Sequence, residues 1–158
     1  MIKEPMTKES FDKLTAKLND LKIVQKPKII KAVDLARQLG DLKENAEYHS
    51  AKEEQANIEK DIAKLDDLVT RVVIIDPSTL SHDKVSFGST VKLFDIDNNK
   101  ILTYEISSMF DTDVALGKIS YNSPLSLSLL GKYAGDEVAA KLPGGIKHFE
   151  IEDIYFQR

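Results

Sequence analysis

The chain has no cysteine among its 158 residues. Disulfide cross-links and thiolate metal sites are therefore excluded, which fits a reducing cytoplasm. No stretch approaches the roughly 18 apolar residues of a membrane span. The opening MIKEPMTKES has no apolar segment, so no secretory signal is expected. A basic excess is missing too. The net charge of −4 argues against sequence-independent grip on a nucleic-acid duplex. Glycine-rich phosphate loops, zinc-ligand spacings, internal repeats and low-complexity segments are all absent. His49, His82 and His148 are scattered, with no nucleophile–base–acid constellation around them. The expectation is a cytoplasmic protein without a self-contained catalytic centre.

Charge is abundant, at 30% of residues, against 42% hydrophobic. Long exposed helices produce such a balance. Residues 1–75 carry 14 Lys/Arg and 14 Asp/Glu, while residues 76–158 carry 8 and 12. The texture changes at the same place, which divides the chain into residues 1–76 and 77–158. The expected fold class is α+β, with a long antiparallel coiled-coil hairpin followed by a small β-rich domain.

Thr7 is a candidate N-cap, and Phe11, Leu14, Leu18 and Leu21 then recur at helical spacing. The phase slips near Pro27, where the lost donor and crowded ring predict a kink. Ile29, Ile30, Val33, Ala36 and Leu39 continue a helical face. Ala51, Gln55, Ile58, Ile62, Leu65, Val69 and Val72 form a second, uninterrupted heptad series. Each arm would be about 45 Å long. The short link at Gly40 makes the arms antiparallel neighbours. Positions 17–37 carry six basic and two acidic residues, and positions 44–67 carry eight acidic and three basic. Opposite signs on facing flanks favour this pairing.

In the second half, Asp76-Pro77-Ser78 is a turn signal. Residues 85–94 are rich in β-formers around Gly88, and residues 97–100 form a turn. Strands are expected at 101–107, 114–120, 136–141 and 147–156. A short helix opens at Ser123-Pro124 and stops at Gly131.

The link between the arms, GDLKENAEYH at 40–49, holds Asp41, Glu44 and Glu47. One reading is capping. Gly40 suits the end of the first helix, and Asp41 with Glu44 has capping-box spacing. The macrodipole also favours carboxylates at a helix start. The other reading is ligand donation. Two carboxylates are too few for a metal cage, but suit Mg²⁺ whose other ligands come from a partner. The residues alone leave both readings open.

The segment GDLKENAEYHSAKEEQ resembles the signature of the GreA/GreB family of bacterial transcript-cleavage factors. Further counterparts are PMT at 5–7, PKIIKAVDLAR at 27–37, VSFGSTV at 85–91, NSP at 122–124, LLGK at 129–132 and PGG at 143–145. The acidic chain is closer to the GreA branch. The resemblance implies a transcription elongation factor whose coiled coil enters the secondary channel of RNA polymerase. Asp41 and Glu44 would be donated to a shared Mg²⁺ and an attacking water at the polymerase's own active centre. The nascent RNA 3′ end of a backtracked complex would then be cleaved by polymerase, with this chain as accessory factor and not enzyme. No cofactor is expected on the chain alone, and no membrane partner.

By the same resemblance, Arg37 and Lys52 form a small RNA-binding basic patch, with Lys52 where Arg is usual. Lys lacks the planar bidentate fork of Arg. The C-terminal domain would be FKBP-like and dock polymerase through Ser120, Asn122, Ser123 and Pro124. Leu127 departs from the Arg expected after that loop. Glu47 would be structural or a secondary contributor, and Tyr48 would pack at the tip or orient the acids. The alternative is a channel-binding regulator without cleavage, as inhibitory relatives of the family are. Prolyl isomerase activity has no support beyond the fold resemblance.

Overall fold

The computed structural model describes residues 2–40 and 45–157. Its compact units are residues 11–71, and residues 1–10 together with 72–158.

The first arm begins with α1 (Lys8–Asp20), capped as expected: Thr7 Oγ1 accepts from Ser10 N at 3.1 Å. A π-helical turn follows at Leu21–Gln25, and then α2 (Lys26–Arg37). This turn lies immediately before Pro27, where the kink was expected. Lys26 N donates to Leu21 O, five residues back. Pro27, without an N–H, falls at the first positions of α2, where no donor is needed. The turn also explains the slip of phase. Leu21 and Ile29, eight positions apart, are both buried and share one cluster with Ile58. An unbroken α-helix would rotate the second of them away from the seam, and the wider π turn absorbs the extra residue.

The second arm is α3 (Ala46–Arg71). At 1.5 Å per residue it is roughly 39 Å long. Ala32, Ala51, Ile62 and Leu65 pack around the Leu21–Ile29–Ile58 cluster. Leu14, Leu18, Val33 and Ala36 are buried, as the spacing predicts. Ile30 and Leu39 are not, at 46% and 69% exposure, so the face after Pro27 is narrower than expected. Leu68 is the deeply buried residue near the end of α3, with Val69 only half-buried. Lys22 Nζ reaches Asp66 Oδ1 at 2.7 Å between the arms. Both groups are exposed, so the pair contributes at most about 1 kcal/mol.

Two short strands escape the sequence reading. β1 (Glu4–Met6) pairs in parallel with β2 (Val72–Ile74). Val72 therefore leaves the heptad series and enters a strand. This pairing holds the N-terminal residues in the C-terminal unit, whereas the sequence division at 76 groups them with the arms.

The main sheet has the order β5-β4-β3-β7-β6, from β3 (Ser89–Asp95), β4 (Lys100–Ser107), β5 (Lys118–Ser120), β6 (Glu137–Leu142) and β7 (Gly145–Phe156). β4 and β5 are parallel, and the other neighbours are antiparallel. A register shift at Lys92/Leu93 lets β3 follow β7. One face buries Val91, Leu93, Ile106, Val138, Ala140, Phe149 and Ile151, with Val85 and Leu129 closing the core. Leu129 comes from α4 (Pro124–Leu129), the short helix expected after Ser123.

The strand expected over 114–120 is shorter. Residues 114–116 form a 3-10 turn, and pairing starts at Lys118. Asp113 accepts from Leu116 N and holds that turn. Gly117 then sits at φ 73°, where a Cβ would meet Thr103 O at 2.8 Å. A non-glycine residue would be strained there and would clash with β4. Among the described residues, no helix is long and apolar enough to cross a membrane.

Candidate functional site

The ends of α2 and α3 come together at one side chain. Asn45 immediately precedes α3, and its Oδ1 accepts from Tyr48 N at 2.9 Å. Satisfying the third helical N–H in this way is the action of an N-cap. The first main-chain helical bond, His49 N to Asn45 O at 3.1 Å, starts at the same residue. The amide's other end, Nδ2, donates to Ala36 O at 2.6 Å. That carbonyl belongs to the last turn of α2 and also accepts from Leu39 N at 3.1 Å. Both partners are main-chain groups, so the O and N of the Asn45 amide are assigned without ambiguity.

Asp41 and Glu44 lie outside the described residues. The cap of α3 nevertheless bears on them. The sequence offered Asp41 as the cap and Glu44 as its reciprocal partner, but the helix starts at Ala46 and its cap is Asn45. Glu47 is the acid in the first turn of α3, well placed for the macrodipole. Tyr48 is half-buried, and its ring meets His49 edge-on at 5.5 Å. Gly40 has φ 134° and lies two residues beyond Gln38, which caps α2. It therefore sits one position later than the expected C′ glycine. Among the described residues, no three His, Asp or Glu side chains gather as a metal site.

Arg37 and Lys52 are both exposed and line one groove of about 350 Å³ between α2 and α3. Lys31 and Gln55 line it as well, so three cations share this face. Asp34 lies among them and accepts from Gln38 Nε2 at 3.3 Å. The groove is thus a cationic surface with one internal carboxylate, of a kind suited to phosphate oxygens.

The segment Ser120–Pro124 is built largely from bonds to itself and to β1. Ser120 Oγ accepts from Asn122 N at 3.3 Å. Asn122 Nδ2 donates to Glu4 Oε2 at 2.7 Å, and Glu4 is 1% exposed. Ser123 caps α4 by accepting from Ser126 N at 3.2 Å, and Pro124 follows at the first helical position. Pro124 and Leu127 are the side chains of this stretch that face solvent, Leu127 at 59%. Asn45 and Glu4 were missed by sequence reasoning. Asn45 carried a usable signal, since Asn is a preferred cap, but Asp41 carried the same one.

The two halves of the chain match family models described as "Transcription elongation factor, N-terminal" over residues 4–74 and "Transcription elongation factor, GreA/GreB, C-term" over residues 80–156. The chain belongs to the GreA/GreB family of transcription elongation factors. It is 52% identical over 157 residues to "Transcription elongation factor GreA" of Aliarcobacter butzleri, covering 99% of this chain and 98% of that one. It is 50% identical over the same length to "Transcription elongation factor GreA" of Helicobacter pylori, covering 99% and 96%. Among solved structures, GreA factor homolog 1 of Thermus thermophilus aligns at 26% identity and a TM-score of 0.47, covering 97% and 99%.

Proposed function

We propose that this elongation factor acts on RNA polymerase, reaching through the secondary channel with its paired arms and presenting Asp41 and Glu44 at the polymerase active centre. There it stimulates cleavage of the 3′ RNA in backtracked complexes. The chain is accessory, because two carboxylates complete no metal shell of their own. The observation that carries the reading is the cap of α3. Asn45 fills that role, so the acids at 41 and 44 are not needed to start the helix.

Two carboxylates are hard oxygen donors and fit a Mg²⁺ whose remaining ligands are water and phosphate. Such an ion, shared with polymerase, would supply an activated water and charge stabilisation at the phosphate. Asp41 and Glu44 would give oxygens to that shell. Arg37 and Lys52 hold the extruded RNA through its phosphates, from the groove that they share. The stiffness of α2 and α3 lets a charged tip reach a site buried in another protein. Pro124 and Leu127, the exposed residues beside α4, contact the rim of the channel.

The test is a stalled, backtracked elongation complex incubated with the protein and Mg²⁺. Release of 3′ RNA fragments above the polymerase-alone background supports the reading. Channel occupancy without fragments leaves a binding regulator. Purified protein with labelled RNA and Mg²⁺, but no polymerase, should give no hydrolysis.

A further inference from the structure

Asn45 does two jobs that are chemically separable. Its Oδ1 caps α3 through Tyr48 N, and its Nδ2 ties that helix start to Ala36 O at the end of α2. The first job needs only an acceptor, which Ser, Asp or Asn can supply. The second needs a donor on the same side chain, with the reach of an amide. A helix start does not require a bond to the preceding helix, so capping alone does not account for the second bond. Ala36 is buried and Asn45 half-buried, so the 2.6 Å bond is partly shielded from competing water. Positions 36 and 45 flank the segment that carries Asp41 and Glu44.

We propose that Asn45 is a positioning residue for transcript cleavage. It is a clamp that fixes the spacing of the two helix ends from which the acidic segment is hung. This rests on the reading of Asp41 and Glu44 as donors to a shared metal. A donor set delivered from outside accelerates the reaction only if it is presented in a narrow range of geometries. A loss of about 1 Å in placement costs on the order of 100-fold in rate. Fixed helix ends set where the chain enters and leaves residues 41–44. The sequence fits this division of labour, because the clamp is a neutral amide. It adds no charge beside the two carboxylates and does not compete with them for a hard cation.

The experiment uses the full chain with Asn45→Asp and Asn45→Ser. Both keep an acceptor for Tyr48 N, and both lose the donor to Ala36 O. Ser adds no charge, so it controls for the carboxylate introduced by Asp. The chain has no native cysteine. Spin labels can therefore be placed through Leu39→Cys and Ser50→Cys, both exposed positions, to read the spacing of the helix ends. Three quantities are measured: the width of that distance distribution, the concentration giving half-maximal occupancy of polymerase, and the cleavage rate at saturating factor.

Both variants should keep native helicity by circular dichroism and bind polymerase within about twofold of the parent. Both should broaden the distance distribution and lower the saturating cleavage rate by about 10-fold or more. Asn45→Ala, which also removes the cap, should in addition reduce helicity. An unchanged distribution in both variants overturns the clamp. A broadened distribution with parental cleavage overturns its positioning role. If the parent itself releases no RNA, the cleavage reading fails and the positioning role with it; the distance data then decide the clamp alone.

Discussion

Glu4 Oε2 accepts a hydrogen bond from Asn122 Nδ2 at 2.7 Å, joining positions 118 residues apart in the sequence. The other carboxylate oxygen, Oε1, accepts from Met109 N. Glu4 is 1% exposed, so both oxygens meet their partners out of water. A buried carboxylate is tolerated only when its acceptor sites are filled in this way. This arrangement puts the amide of Asn122 in the framework of the C-terminal unit, though the family resemblance suggests a docking residue.

Glu4→Gln should therefore destabilise the protein. Gln offers one oxygen where two donors point, and its own NH2 would face a donor. A buried unsatisfied donor costs about 1–3 kcal/mol. Urea unfolding should show a lower midpoint with an unchanged slope. Asn122→Ala should lower the midpoint too, and the double variant should lose less than the sum of the two. Full additivity would mean that the two side chains do not act as a pair.

Asp95 gives a pH dependence of known sign. It is buried, and Asn98 donates to both of its oxygens, at 3.1 Å from N and 2.9 Å from Nδ2. The bond from the Asn98 side chain holds its carboxyl below the ordinary value of 3.8, against the upward push of burial. The main-chain bond from Asn98 and the charge of Lys147 pull in the same downward direction. A carboxyl depressed in the folded state stabilises the fold fully above its unfolded value. That contribution disappears as pH falls through the lower folded value. Asp95→Asn should therefore flatten part of the acid limb in a plot of urea midpoint against pH. An acid limb identical to the parent's would remove Asp95 from the account.

The two arms were readable because their buried positions recur at a helical period. Leu14, Leu18, Leu21, Ile29, Val33, Ala36 and Ile58 are all buried. The π turn was visible only as a slip of phase, since Pro27 signals a disturbance and not its form. The strands β1 and β2 have three residues each, too few to show alternation, and their pairing is between distant segments. The start of α3 was left open by the sequence because Asp41 and Asn45 are equally good caps by type. The bond from Tyr48 N to Asn45 Oδ1 is what marks Asn45 as the cap. The basic patch was legible by resemblance, but Lys31 joined it only when the arms were paired.

Arg37→Ala and Lys52→Ala should weaken action on backtracked complexes more than occupancy of free polymerase. Each cation withdrawn from the RNA phosphates should reduce the slope of log activity against log salt by roughly 0.7, the value for a single strand. Half-saturating factor concentration on backtracked complexes, measured across a salt series, reads this directly. Equal loss of both properties, insensitive to salt, would point to disturbed packing of α2 on α3.

On the proposed function, the acids at 41 and 44 are donors and not caps. The measurement is the cleavage rate of a backtracked complex at saturating Asp41→Asn or Glu44→Gln, beside competition of each variant for polymerase. The amides keep size and hydrogen-bonding capacity and remove the charge that a hard cation requires. Donation to a shared cation predicts parental competition, cleavage reduced by at least about 100-fold, and partial recovery at raised Mg²⁺. Parental cleavage by both variants would contradict it.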